Sequence, residues 1–244
     1  MSTQVSTPND IKKLGTILSV WAHPDDETIL AGGIMAAAIK NLQQVICVTA
    51  TRGEAAQSDP KKWPPETLGD VRTKELQSAL KELGVVKHHW LGYKDGKCER
   101  VRMLEAINRL LAYINLHKPD TILTFGPEGF TGHPDHQAVS RWVTATMEYA
   151  PYRPAIYHAV VNQELYDKHL KAAEKKLNVF YNIDEPPFGD PAKTEIMFEL
   201  PPELLAKKRK ALEAMPSQTA ALFKYLTPGV AMKFVSIEMF KKGR

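Results

Sequence analysis

Short apolar runs rich in β-branched residues alternate along this chain with helix-patterned segments, and that alternation restricts the fold more than any other feature. Residues 16–22, 44–50, 88–91, 121–125 and 155–161 read as strands, with 16–22, 44–50 and 121–125 continuous enough to be buried. Between them, residues 29–42, 68–83, 101–117 and 134–149 read as helices, with Gly84 and Pro119 as stop signals. Within 101–117, Leu104, Ile107, Leu111 and Ile114 recur at helical spacing. Strict β-α alternation predicts an α/β fold: a Rossmann-like, doubly wound, mostly parallel sheet with right-handed crossovers and helices on both faces.

The alternation stops after Val161. Residues 179–183 and 195–200 suggest short strands, 201–225 one long helix with Lys and Arg on its outer face, and 234–240 a closing strand or helix. The expected organisation is a flexible tail over 1–13 and one domain over 14–244. Its Rossmann-like core spans 14–161, and a small C-terminal strand and helix extension over 162–244 forms much of the pocket rim.

Composition narrows the function classes. With 244 residues, 43% of them hydrophobic, the chain can bury a core without disulfides. Cys47 and Cys98 form no CxxC pair, which excludes a disulfide scaffold and a Cys-rich zinc cluster and points to a reducing cytoplasm. The longest near-apolar stretch, 29–39, is too short to span a bilayer, and residues 1–15 lack a signal-peptide core, so no membrane partner is expected. The formal charge is +4, but the basic residues are scattered among acids, so no nucleic-acid partner is expected either.

In open α/β sheets the working site lies at the carboxyl ends of the strands. Two related segments follow strands there: His23-Pro24-Asp25-Asp26-Glu27 and Gly132-His133-Pro134-Asp135-His136. Pro24 and Pro134 both suit a first helical position. One His-Pro-Asp at a helix start is ordinary capping; two after parallel strands of one chain point to a metal site. His23 and Asp26 lie about one turn apart and can converge on one ion, with His136 as third ligand. Such a set leaves a position for water, the arrangement of a catalytic zinc site with one Zn2+ per chain. Asp25 then faces the water as general base. His133 can hydrogen-bond a developing oxyanion or protonate a leaving amine. Asp135 can orient a histidine from behind.

These two segments resemble the LmbE-like, or PIG-L, family of zinc-dependent N-deacetylases. Thr51-Arg52-Gly53-Glu54, Arg72-Thr-Lys-Glu75-Leu76 and Leu91-Gly92-Tyr93-Lys94-Asp95-Gly96 support the resemblance, which covers roughly residues 16–145, with an echo at Ser217-Gln218. It implies hydrolysis of an N-acetyl group from an N-acetylglucosamine-type sugar or glycoside. It also implies zinc ligands His23, Asp26 and His136, base Asp25, and His133 partnered by Asp135. Arg72 and Asp95 match positions that hold sugar hydroxyls, while Arg52 and Glu54 are candidate pocket residues. Glu27 reads as a helix-dipole partner. Relatives often carry a histidine two residues before the late Ser-Gln, where this chain has Met215. By analogy a homo-oligomer is expected. Two other readings stay open: an amidase for a larger N-acyl or thiol-conjugate substrate, and a non-catalytic Rossmann-like metal- or ligand-binding module. A GxGxxG dinucleotide fingerprint and a GxSxG serine elbow are both absent.

Overall fold

The computed structural model describes residues 4–243. Its core is β1 (Ile17–Trp21), α1 (Asp26–Lys40), β2 (Val45–Thr51), α2 (Pro65–Leu83), β3 (Lys87–Tyr93), α3 (Met103–His117), β4 (Thr121–Phe125), α4 (Pro134–Thr146) and β5 (Ala155–Val160). Strands β1, β2 and β4 are buried at every position, as a sheet covered on both faces requires. Helix α2 ends where Gly84 takes the left-handed conformation at φ 85°. Right-handed crossovers put α1 and α2 on one face and α3 and α4 on the other.

The remaining elements are α5 (Gln163–Leu165), a π-helical turn over Tyr166–Leu170, α6 (Lys171–Leu177), β6 (Ile196–Glu199), α7 (Pro202–Glu213), α8 (Pro216–Tyr225), α9 (Pro228–Phe234) and β7 (Ile237–Lys242). The sheet order is β3-β2-β1-β4-β5-β7-β6. Strands β1 to β5 run parallel; β7 is antiparallel to both β5 and β6. The doubly wound sheet is therefore as expected, with the extension adding a mixed edge. Winding reverses between β1 and β4, which opens a crevice at their carboxyl ends.

Four expectations need correction. The tail is not free over its described part: Val5 bridges Ile196, and Ile11 and Leu14 are buried in a 3-10 turn over Asp10–Leu14; residues 1–3 lie outside the described residues. The long helix over 201–225 is two helices broken at Met215, because Pro216 has no N–H and its ring cannot follow a helical turn. Residues 179–183 form no strand but a turn folded over the crevice. Pro24 lies two residues ahead of α1 rather than inside it; only Pro134 opens its helix.

A buried ion pair ties the extension to α1. Lys208 Nζ donates to Glu238 Oε1 at 2.7 Å and to the Ile29 carbonyl at 2.7 Å. Glu238 accepts from the backbone of Gly33 and of Ile34, each at 2.7 Å. The pair thus takes up helix groups in the middle of α1. A Cβ on Gly33 would stand 2.4 Å from Leu200, so close packing of α1 on the chain after β6 requires glycine there.

Candidate metal centre and active site

Both His-Pro-Asp segments lie at the crevice, one after β1 and one after β4. Asp25, the residue before α1, has φ 120°, a strained conformation for a residue with a side chain. Two buried groups hold it there. The Asp25 backbone N–H donates to Glu27 Oε2 at 3.1 Å. Arg72, only 3% exposed on α2, donates from Nη2 to the Pro24 carbonyl at 2.6 Å and to Asp25 Oδ2 at 3.3 Å. Its Nη1 donates to the Gly53 carbonyl at 2.8 Å.

The two inner histidines meet edge to edge, His23 Nδ1 lying 3.1 Å from His136 Nε2. Their outer nitrogens settle where the protons sit. His136 Nδ1 donates to the Gly129 carbonyl at 2.9 Å, which leaves Nε2 with its lone pair. His23 Nε2 faces Asp95 Oδ1 at 3.1 Å and Asp135 Oδ2 at 3.3 Å, so it carries a proton, and Nδ1 is the nitrogen turned to the centre. Asp26 completes the cluster, with Oδ2 3.7 Å from His23 Nδ1 and Oδ1 3.5 Å from His136 Nε2. Two ring nitrogens and a carboxylate converging in a buried spot suit a cation. Donors held at 2.0–2.1 Å around tetrahedral zinc stand roughly 3.3 Å apart, so the donor set fits such an ion. Outer nitrogens hydrogen-bonded to a carboxylate and a carbonyl are the usual support for metal-binding imidazoles.

His133 also lies within reach, grouped with His23 and His136 as a potential ligand. Its Nδ1 accepts from the Asp135 backbone N–H at 3.1 Å, which places the proton on Nε2. Asp135 is fully buried, and its carboxylate accepts from Gly96 N at 2.7 Å and Cys98 N at 3.0 Å besides facing His23. The expected carboxylate partnership of Asp135 with His133 is therefore corrected: the carboxylate serves His23, and only the backbone of Asp135 touches His133.

Burial and neighbouring charge set the protonation states. Burial pushes Asp25 up to about 7, against the opposing pull of Arg72 and with a further push from Asp26. Burial likewise raises Asp26, and raises Glu27 to about 8. Burial lowers His133 and His136, helped in both by the positive charge of His23. For His23 itself, burial is outweighed by hydrogen bonds to Asp135 and Asp95, which raise it to about 10; with no metal bound Nδ1 therefore carries a second proton, which a metal ion would displace.

The residues expected at the sugar divide. Asp95 is buried behind the centre, on His23 and on the Ala55 N–H at 2.8 Å. Arg72 lies behind Asp25, not on an open pocket wall. Glu54 Oε1 accepts from the Asp95 N–H at 3.0 Å. Arg52 is exposed, 3.2 Å from Thr73 Oγ1, and with Glu54, Glu66, Asp70, Tyr93 and Lys94 it lines an open cleft of about 630 Å³.

Three contributors escaped sequence reasoning. Glu27 clamps the Asp25 backbone; its signal was a third consecutive acid, which capping also explains. Glu75 accepts from Ser217 N at 3.0 Å and Ser217 Oγ at 2.5 Å, joining α2 to the start of α8, while Met215 beside it is fully buried. Tyr181, half exposed, sets its ring edge-on to His133 at 6.4 Å between centroids. The turn that carries it rests on Gly132, where φ is 78° and a Cβ would stand 2.6 Å from Ile183.

The sequence profile of PIG-L, the GlcNAc-PI de-N-acetylase family, matches residues 18–147. A 1D-myo-inositol 2-acetamido-2-deoxy-alpha-D-glucopyranoside deacetylase of Saccharomonospora viridis is 30% identical over 202 residues, covering 74% of this chain and 73% of its own. The enzyme of the same name from Actinosynnema mirum is 29% identical over 228 residues, covering 83% and 80%. Among solved structures, the N,N'-diacetylchitobiose deacetylase of Pyrococcus horikoshii superposes with a TM-score of 0.67 at 20% identity, over 96% of this chain and 85% of that one. A zinc-inhibited teicoplanin deacetylase gives 0.62 at 17% identity, over 85% and 86%. A 4-carboxy-2-hydroxymuconate hydratase of Pseudomonas putida gives 0.68 at 16%, over 94% and 96%, so the same fold also carries a hydration reaction.

Proposed function

Since the chain belongs to the PIG-L family of de-N-acetylases, we propose that it hydrolyses the N-acetyl group of a 2-acetamido-2-deoxyglucose unit in a small glycoside. The observation that carries this reading is the convergence of His23 Nδ1, His136 Nε2 and the Asp26 carboxylate beside Asp25. The substrate class follows the named relatives from Saccharomonospora viridis and Actinosynnema mirum.

His23, Asp26 and His136 would hold the metal, which we assign as one zinc per chain. Bound there, zinc supplies Lewis acidity toward an amide carbonyl and makes a water more acidic. Asp25, raised to about 7 by burial and kept in line by Arg72, takes the proton of the attacking water and passes it to the leaving nitrogen. His133, neutral and with its proton on Nε2, donates a hydrogen bond to the carbonyl oxygen as negative charge develops. Asp95 and Asp135 keep the His23 ring oriented. The C–N bond breaks, a C–O bond from water forms, and acetate and a free amine leave.

Among the described residues no helix is long and apolar enough to cross a membrane. We further propose a cytoplasmic setting, supported by two buried free thiols, and self-association as a homo-oligomer, which rests on family analogy alone. The decisive assay is acetate release from N-acetylglucosamine, its β-linked dimer and its inositol glycoside. Each is run with metal, with a chelator, and after zinc is restored. Release that persists without metal, or that occurs with none of the three, overturns the reading.

A further inference from the structure

A small, partly open cavity of about 80 Å³ lies at the carboxyl end of β5. Ile29 and Leu30 of α1, Phe130, Val160, Phe180 and Ile237 line it, with an almost wholly apolar wall. Its charged lining residue, Glu238, is already taken by Lys208 and by two backbone N–H groups, so it offers nothing to a ligand.

Two relationships connect this cavity to the reacting centre. Ile29 and Leu30 stand three and four residues after Asp26, so the face of α1 that presents the carboxylate to the histidines continues into the cavity wall. On the other side Phe130 follows Gly129, whose carbonyl holds His136 Nδ1. Phe130 is kept at φ 59°, a left-handed conformation that costs a residue with a side chain energy, and its ring packs toward Phe180 with centroids 5.9 Å apart. Its ring stands where the His136 loop meets the cavity.

The geometry points to an acyl pocket: the cavity receives the alkyl end of an N-acyl group longer than acetyl. This rests on the amide-hydrolysis reading above and widens its substrate class to short-chain N-acyl sugars. An apolar cavity of about 150 Å³ takes up a benzene molecule, so this one holds roughly three carbons. Added to the two of an acetyl group, that sets the optimum at four to five carbons. The reaction is unchanged, with an alkanoate leaving in place of acetate.

The test is kcat/KM for N-acetyl-, N-butanoyl-, N-pentanoyl- and N-octanoylglucosamine. Each methylene that enters the cavity raises kcat/KM about fourfold, up to five carbons, and octanoyl falls away. Val160→Phe fills the cavity from β5, and Ile237→Phe, at a half-buried position, serves should the first fail to fold. Either lowers the pentanoyl-to-acetyl ratio at least tenfold. The pocket is overturned if the wild type loses activity with the first added methylenes, or if both filled variants keep the wild-type ratio. If no amide in the series is cleaved, the hydrolysis reading fails first. Pentanoate binding, followed by NMR shifts of the Leu30 and Val160 methyl groups, then judges the pocket alone, and its absence overturns it.

Discussion

Arg72 holds Asp25 from within the protein: its Nη2 lies 3.3 Å from Asp25 Oδ2 and 2.6 Å from the Pro24 carbonyl. An arginine so placed acts through the aspartate's position and proton affinity rather than on a substrate hydroxyl. Arg72→Lys keeps the charge but cannot bridge three acceptors with a planar fork. We expect kcat to drop about 10- to 100-fold with KM within about threefold of wild type, since positioning and not ground-state binding is lost. A rise in KM at constant kcat would return Arg72 to the substrate.

Asp25→Asn preserves shape and removes the base. Turnover should fall by about 10²–10⁴-fold, the usual worth of a positioned general base. Zinc content by elemental analysis should stay near one per chain, because Asp25 is not among the converging donors. Near-normal turnover at full zinc content would refute its role.

Metal removal should separate the donors from the base. His136→Ala deletes one of the two converging ring nitrogens, and zinc content should fall sharply. The wild-type protein should gain about 2.7 kcal/mol of stability at a free zinc concentration of 100 times Kd. Chemical denaturation with and without zinc measures that gain, which His136→Ala should largely lack.

Lys208 and Glu238 are both buried, and removing one partner strands the other's charge. Lys208→Met should destabilise the fold by about 3–5 kcal/mol in urea denaturation. The loss should be smaller when Glu238→Gln is added, because the lone buried charge is then gone.

Acid should weaken the fold through histidines outside the candidate metal site. Burial, with a smaller push from Lys241, lowers His158 to about 4; burial, with a smaller push from His89, lowers His88 to about 4. Unfolded, each titrates near 6.5. The unfolded chain therefore binds protons first as pH falls, and the stability these groups contribute above pH 6.5 is lost between about 6.5 and 4. Each adds a slope of at most about 1.4 kcal/mol per pH unit in that window. Denaturant midpoints for His158→Gln should depend less on pH than those of the wild type.

Local chemistry carried much of this protein in plain view. Short continuous apolar runs and period-3.6 patterns, punctuated by Gly84, Pro119 and Pro134, encode elements whose contacts lie a few residues apart, which is why the β-α order was legible. The paired segments at His23 and His133 were legible for the same reason: each places its donors within one helical turn. Even the break at Pro216 was written locally, in a ring that cannot continue a helix, though the flanking pattern concealed it. Tertiary structure alone decided what those residues touch. Arg72 reaches Asp25 across 47 positions, and Asp135 reaches His23 across 112. Only the closing of the crevice between β1 and β4 turns Asp95 and Asp135 toward one imidazole and leaves two ring nitrogens facing each other. A sequence names the groups that can do this, but their hydrogen-bond directions exist only once the sheet has brought its strand ends together.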